Sequence, residues 1–144
     1  MKAGLTMSVE FQSEFPQACD SKESNIAFYL AEQNILWLVY EAKRDFLSAP
    51  RCFVILSASV NANQLATGGA FLSESEWEAV NIGEFGVYKI PESEHCQSSI
   101  ECHWVCSTPL GIVEFFSNKL ELDRCLYHHA SPHLALRGVL ADAR

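Results

Sequence analysis

All five histidines of this 144-residue chain, His95, His103, His128, His129 and His133, fall between positions 95 and 133, together with Cys96, Cys102, Cys106 and Cys125. Imidazole and thiolate are the usual zinc ligands, and Cys102-x3-Cys106 followed by His129-x3-His133 imitates a two-cysteine, two-histidine site. Spacing and geometry both oppose that reading. The 22 residues between the two pairs exceed the roughly twelve of a zinc finger. Positions 99–107 alternate as a strand does, and residues four apart in a strand lie roughly 13 Å apart, too far to share one tetrahedral ion. Period two instead aligns Ile100, Cys102, Trp104 and Cys106 on one face, where a free cysteine packs as a small hydrophobe. No metal and no cofactor are therefore expected, with Cys102, Cys106, His129 and His133 as the alternative metal set.

The same letters could serve a thiol-dependent enzyme, with Cys125 and His128 or His129 one turn apart, or Cys102 paired with a more distant base. Nucleophilic catalysis needs a thiolate of lowered pKa, a base held by a third group and backbone donors for an oxyanion. None of these follows from spacing. Cys125 falls near the C-terminal end of a predicted helix, where the dipole disfavours a thiolate, while His128, His129 and His133 suit helix ends as caps. No catalytic residue is assigned.

Charge is the other chemical signal. Residues 52–118 carry eight Glu and one Lys, so they hold −7 of the total −8. Glu74, Glu76 and Glu78 flank a predicted helix start, where carboxylates complement the dipole. Glu84, Glu92, Glu94, Glu101 and Glu114 have no interspersed basic residue except Lys89, although soluble surfaces normally mix signs. Such a distribution suits a cationic partner and opposes nucleic acid and anionic membrane. Lys43-Arg44 and Arg51 make only a small basic patch. Phosphate-loop, dinucleotide, HExxH, GxSxG and CxxC motifs are all missing, and Gly68-Gly69 and Gly83-x-x-Gly86 read as turn glycines.

At 49% hydrophobic composition the chain is long enough to bury one core, and a single domain over 1–144 is expected. The start lacks an apolar signal region, and the longest apolar run, Ile35 to Tyr40, is far short of a membrane span, so a cytoplasmic protein with reduced thiols and no membrane partner is expected.

The positioning elements are read as follows. Residues 8–12 make a short strand or arm. Asp20 and Glu23 resemble a capping box, and Ala27, Ala31, Ile35, Leu38, Ala42 and Phe46 step helically, which predicts a helix over about 21–47. The competing reading stops at Gln33-Asn34 and makes Ile35–Tyr40 a buried strand. Residues 52–56 form a central strand apolar on both faces, 58–67 a short helix, and Ser73 with Glu76 opens another near Trp77. Strands follow at 85–90 and 99–107. Thr108-Pro109 and Ser131-Pro132 each place an acceptor at the cap and proline at the first helical position, predicting two C-terminal helices. The sum is an α+β fold with a sheet of about three to five strands covered by helices.

In style the chain resembles small acidic inhibitors, immunity proteins and phage-encoded inhibitors among them. That resemblance implies a non-enzymatic binder that docks an acidic, aromatic-containing surface on a basic protein such as a nuclease or nucleic-acid-handling factor. The surface is assigned to Glu84, Glu92, Glu94, Trp77, Phe85 and Tyr88, with Trp104 as a further anchor. The alternative is a metal- or thiol-dependent enzyme using the Cys/His cluster. A third reading is a homo-oligomer whose subunit contact uses Trp37 and Phe115-Phe116.

Overall fold

Apolar residues occur on both parities of most strands in this chain, which is the pattern of sheets buried on two sides. A computed structural model describes residues 10–46, 48–67, 85–90, 101–127 and 129–142. Their strands are β1 (Glu10–Phe11), β2 (Ile26–Ala31), β3 (Ile35–Glu41), β4 (Cys52–Ser59), β5 (Leu65–Thr67), β6 (Gly86–Ile90), β7 (Cys102–Thr108), β8 (Gly111–Ser117) and β9 (Leu120–Tyr127), followed by helix α1 (Pro132–Asp142). They form two antiparallel sheets, ordered β1-β6-β7-β8-β5 and β2-β3-β4-β9. Among the described residues there is one α-helix, and it is not long and apolar enough to cross a membrane.

The expected α+β fold of a helix-covered sheet with two proline-initiated helices is thereby overturned: the molecule is mostly β. The predicted helix over 21–47 is the β2–β3 hairpin. Its chain reversal uses Gln33 and Asn34 at φ 64° and 60°, the left-handed region that asparagine tolerates better than most residues. Leu36, Leu38 and Tyr40 point to one core and Val39 to another, and a strand apolar on both faces satisfies helical spacing by accident. The competing strand reading of Ile35–Tyr40 is the one the fold adopts.

The predicted helix after Thr108-Pro109 is the β7–β8 turn and two strands. Pro109 occupies the second position of a turn closed by the Thr108↔Gly111 pair, and the Thr108 hydroxyl donates to the Gly111 carbonyl at 3.0 Å. A fixed φ near −65° suits the second position of a turn as well as the first turn of a helix. The predicted helix over 58–67 is the end of β4, a 3-10 turn (Ala62–Gln64) and β5. The helix expected near Ser73 and Glu76 lies outside the described residues.

Other expectations match: β4, β6 and β7 lie where strands were read. At the start of α1 the Ser131 hydroxyl accepts from the Leu134 amide at 3.2 Å, a side-chain cap worth ~1 kcal/mol.

The principal core lies between the sheets and contains Leu36, Leu38, Tyr40, Val54, Leu56, Val87, Trp104, Cys106, Val113 and Phe115. A second core on the other face of the four-stranded sheet joins Ala27, Val39, Phe53 and Ile55 to Ala135, Leu136 and Val139 of α1. The order is thus sheet, sheet, helix. The β4–β9 register shifts between Ile55 and Leu56, leaving Asp123 as an extra residue between Leu122 and Arg124, a bulge in β9.

Candidate functional site

The chain reversal after β2, the turn after β4 and the β8–β9 turn all come to one end of the sandwich. Between them lies a cleft of ≈ 480 Å³ whose lining includes Ser57, Asn61, Gln64, Glu101, Lys119 and Glu121. A chain of amides runs along it. Asn34 Nδ2 donates to Asn61 Oδ1 at 3.3 Å, Asn61 Nδ2 to Gln64 Oε1 at 3.3 Å, and Gln64 Nε2 to both Glu101 carboxylate oxygens at 3.0 Å. Each donation polarises the next, and the series leads to a carboxylate. Gln64 is buried and Glu101 half-buried, so the acid is held at the rim. Across the cleft Lys119 Nζ lies 3.0 Å from Glu121, so Glu101, Glu121 and Lys119 sum to one negative charge. Hydroxyls, amides and an anchored carboxylate suit a hydrogen-bonding cation such as a lysine or arginine side chain.

Of the assigned binding residues, Glu84, Glu92, Glu94 and Trp77 lie outside the described residues, as do Glu74, Glu76 and Glu78. Phe85 is half-buried against the inter-sheet core. Tyr88, only 5% exposed, packs edge-on against Phe11 with ring centroids 5.3 Å apart. Trp104 is also 5% exposed. Its indole donates to the Ser117 carbonyl at 3.1 Å, and Lys89 Nζ stands 5.7 Å over its ring. Tyr88 and Trp104 are core side chains. Phe115 and Phe116 are buried too and leave no subunit contact to make, whereas Trp37 is half-buried on β3.

Glu114 is not at the surface. It is 0% exposed on β8, with Oε2 at 2.7 Å from Nε2 of His103, itself 0% exposed on β7. The imidazole also lies against Phe116, with ring centroids 4.4 Å apart. This pair was missed, although a single carboxylate within the apolar run Ile112–Phe116 is a signal: a buried charge needs a partner. Cleft residues Asn61 and Gln64, and Asn34 bonded to the first of them, were missed because each reads alone as a turn residue.

The Cys/His cluster is not brought together. Cys102 and Cys106 face the inter-sheet core, whereas His129 packs edge-on against Phe53, at a centroid distance of 6.3 Å, on the far face of the four-stranded sheet, and His133 belongs to α1. Among the described residues no three His, Cys, Asp or Glu side chains could hold one metal ion. Burial pushes the Cys106 thiol up to about 12. Burial and the neighbouring Cys52 push Cys125 up to about 11. Both shifts oppose thiolate formation. Cys125 lies on a strand, not at the helix end anticipated for it.

The basic patch is partly neutralised: the Arg51 guanidinium donates to both oxygens of buried Glu41 at 2.9 and 3.0 Å and lies over Phe53, while Arg44 donates to the Ala49 carbonyl at 3.3 Å. No protein-family model matches the chain, and no curated protein or solved structure shows detectable similarity to it.

Proposed function

We propose that the protein is a non-enzymatic inhibitor that docks an acidic surface, bordered by the cleft, on a basic protein partner. The observation that carries this reading is the Glu101 carboxylate, fixed at the cleft rim by Gln64 where the sequence arrives from Glu92 and Glu94 without an intervening lysine or arginine. A carboxylate already ordered by an amide costs less to immobilise when a partner cation meets it. Long-range attraction from the remaining glutamates speeds encounter, and short-range contact at the cleft slows release. The raised thiol pKa values of Cys106 and Cys125 support a binder over a thiol enzyme.

The test is quantitative capture from host extract at low and high salt, followed by affinity measurement with the purified partner. A basic partner is expected, with affinity falling at least tenfold between about 50 and 300 mM salt. The triple variant Glu84→Lys/Glu92→Lys/Glu94→Lys should associate at least tenfold more slowly, and Glu101→Ala should mainly quicken dissociation. An acidic partner, or undiminished binding by the triple variant, defeats the proposal.

A further inference from the structure

The fold brings Cys52 and Cys125, distant in sequence, onto adjacent strands. In the register of β4 with β9, Cys52 stands opposite Tyr127 and Val54 opposite Cys125. The two thiols therefore lie across the diagonal of a square on the face turned to the inter-sheet core, against which both pack. The Ala42 amide donates to the Cys52 carbonyl at 2.8 Å, so the backbone of Cys52 bonds to the β3 side and meets β9 at a non-hydrogen-bonded position, where facing side chains come closest. In a flat ladder a diagonal spans ~7–8 Å, just past what a disulfide bridges. Right-handed twist shortens one diagonal of each square at the expense of the other, and the nearby bulge at Asp123 adds twist. The short diagonal is the one between the thiols: Cys52 acts on Cys125 as a hydrogen-bonding and electrostatic neighbour, and on Tyr127 in the same way. Both cysteines are unbridged and half-buried, and β9 is an edge strand, which leaves the pair within reach of a small reagent.

We infer that Cys52 and Cys125 form a reversible disulfide site, closed by exchange with a low-molecular-weight disulfide such as oxidised glutathione, that staples β9 to β4. The thiol that ionises first attacks one sulfur of the reagent, whose S–S bond breaks and releases one glutathione thiolate, which takes up a proton. The second protein thiol, deprotonated, attacks the protein sulfur of this mixed disulfide and expels the second glutathione. Two protein thiols lose two electrons and two protons, and one oxidised glutathione becomes two reduced ones. Burial and Cys52 keep Cys125 protonated at neutral pH, so closure is slow, as suits a cross-link and not a catalytic dithiol. The bridge encloses residues 53–124, a long loop whose closure restricts the unfolded chain strongly. Cys102 and Cys106, four positions apart on one strand, have no such option. The inference does not depend on the inhibitor reading, because neither thiol belongs to the surface assigned to partner binding.

The folded protein is incubated with oxidised glutathione at about pH 8, close to the ordinary thiol range, then alkylated and digested with trypsin without reduction. Cys52 and Cys125 are each the only cysteine of their tryptic peptides, 52–89 and 125–137. Mass spectrometry should find these two peptides joined and lighter by two hydrogen atoms than their sum. The urea midpoint should rise by at least ~1 M on oxidation and return to its starting value with dithiothreitol. Cys125→Ala should show neither the joined peptides nor the rise. Cys52→Ala should behave alike and substitutes for it if Cys125→Ala fails to fold. Cys19→Ala should still form the bridge. Recovery of peptides 52–89 and 125–137 unjoined, either of them joined instead to another cysteine, an unshifted midpoint, or a rise that persists in Cys125→Ala or Cys52→Ala overturns the assignment.

Discussion

Glu114→Ala and His103→Phe should each destabilise the protein by about 3–5 kcal/mol, a large part of the ~5–15 kcal/mol that holds an ordinary domain together. Both partners are wholly buried and their bond is 2.7 Å long, so removing one withdraws a hydrogen-bonding partner from a group that water cannot reach. Each substitution takes from the other side chain its partner in this bond, which makes the two losses similar in origin. They should not add. His103→Phe/Glu114→Met, which replaces the pair by apolar groups of comparable volume, should be more stable than either single variant, because both polar groups and their desolvation penalty leave together. Urea unfolding of the four proteins measures the coupling. Additive losses would show that the two side chains act separately. The pair bridges β7 and β8 diagonally, beside the His103↔Phe116 and Val105↔Glu114 positions, so it also penalises a slipped register between two strands apolar on both faces.

The second large effect is alkaline. Burial holds the Cys106 thiol at about 12, against an ordinary value of 9.0. It also pushes up the Tyr40 phenol, an effect reinforced by Cys106, Cys125 and Cys52. The Tyr40 hydroxyl donates to the Pro16 carbonyl at 2.6 Å, a bond that requires the proton. Below pH 9 folded and unfolded chains both keep the Cys106 proton, and pH leaves this contribution unchanged. Between pH 9 and 12 the unfolded chain releases the proton while the folded chain retains it, so stability falls as pH rises. For Cys106 alone the full loss is on the order of 4 kcal/mol. Urea midpoints at pH 7, 9, 10 and 11 should decline, and Cys106→Ala, although ~1 kcal/mol less stable at neutral pH, should decline less steeply. Parallel profiles for the two proteins would refute the role given to this thiol.

Which elements were legible in the sequence depended on whether apolar residues alternate with residues of another kind and, where they run on, on whether helical steps fit them as well. The capped helix at Ser131-Pro132 has polar and apolar sides and reads correctly. β7 reads correctly because Cys102, Trp104 and Cys106 alternate with residues of another kind. β3 and β8 are buried on both faces, so alternation vanishes and helical spacing emerges by chance. Pro109 misled for a different reason: turns and helix starts ask for the same φ. The cleft was out of reach because its polar series joins positions 34, 61, 64 and 101, which become neighbours only after the turns are placed. Charge counting identified an acidic half of the chain, yet it counted Glu114 as surface when it is core.

The partnership of β4 with β9 sets the order in which the molecule can be completed. Cys52–Ser59 leaves the ribosome long before Leu120–Tyr127 has been translated, and until then one flank of an almost wholly apolar segment has no native neighbour. Contacts this distant in sequence form slowly, so the nascent chain passes through an interval in which that flank is open to chaperones and to other nascent copies. The charges and bulge of the late-arriving strand then seal it against further growth.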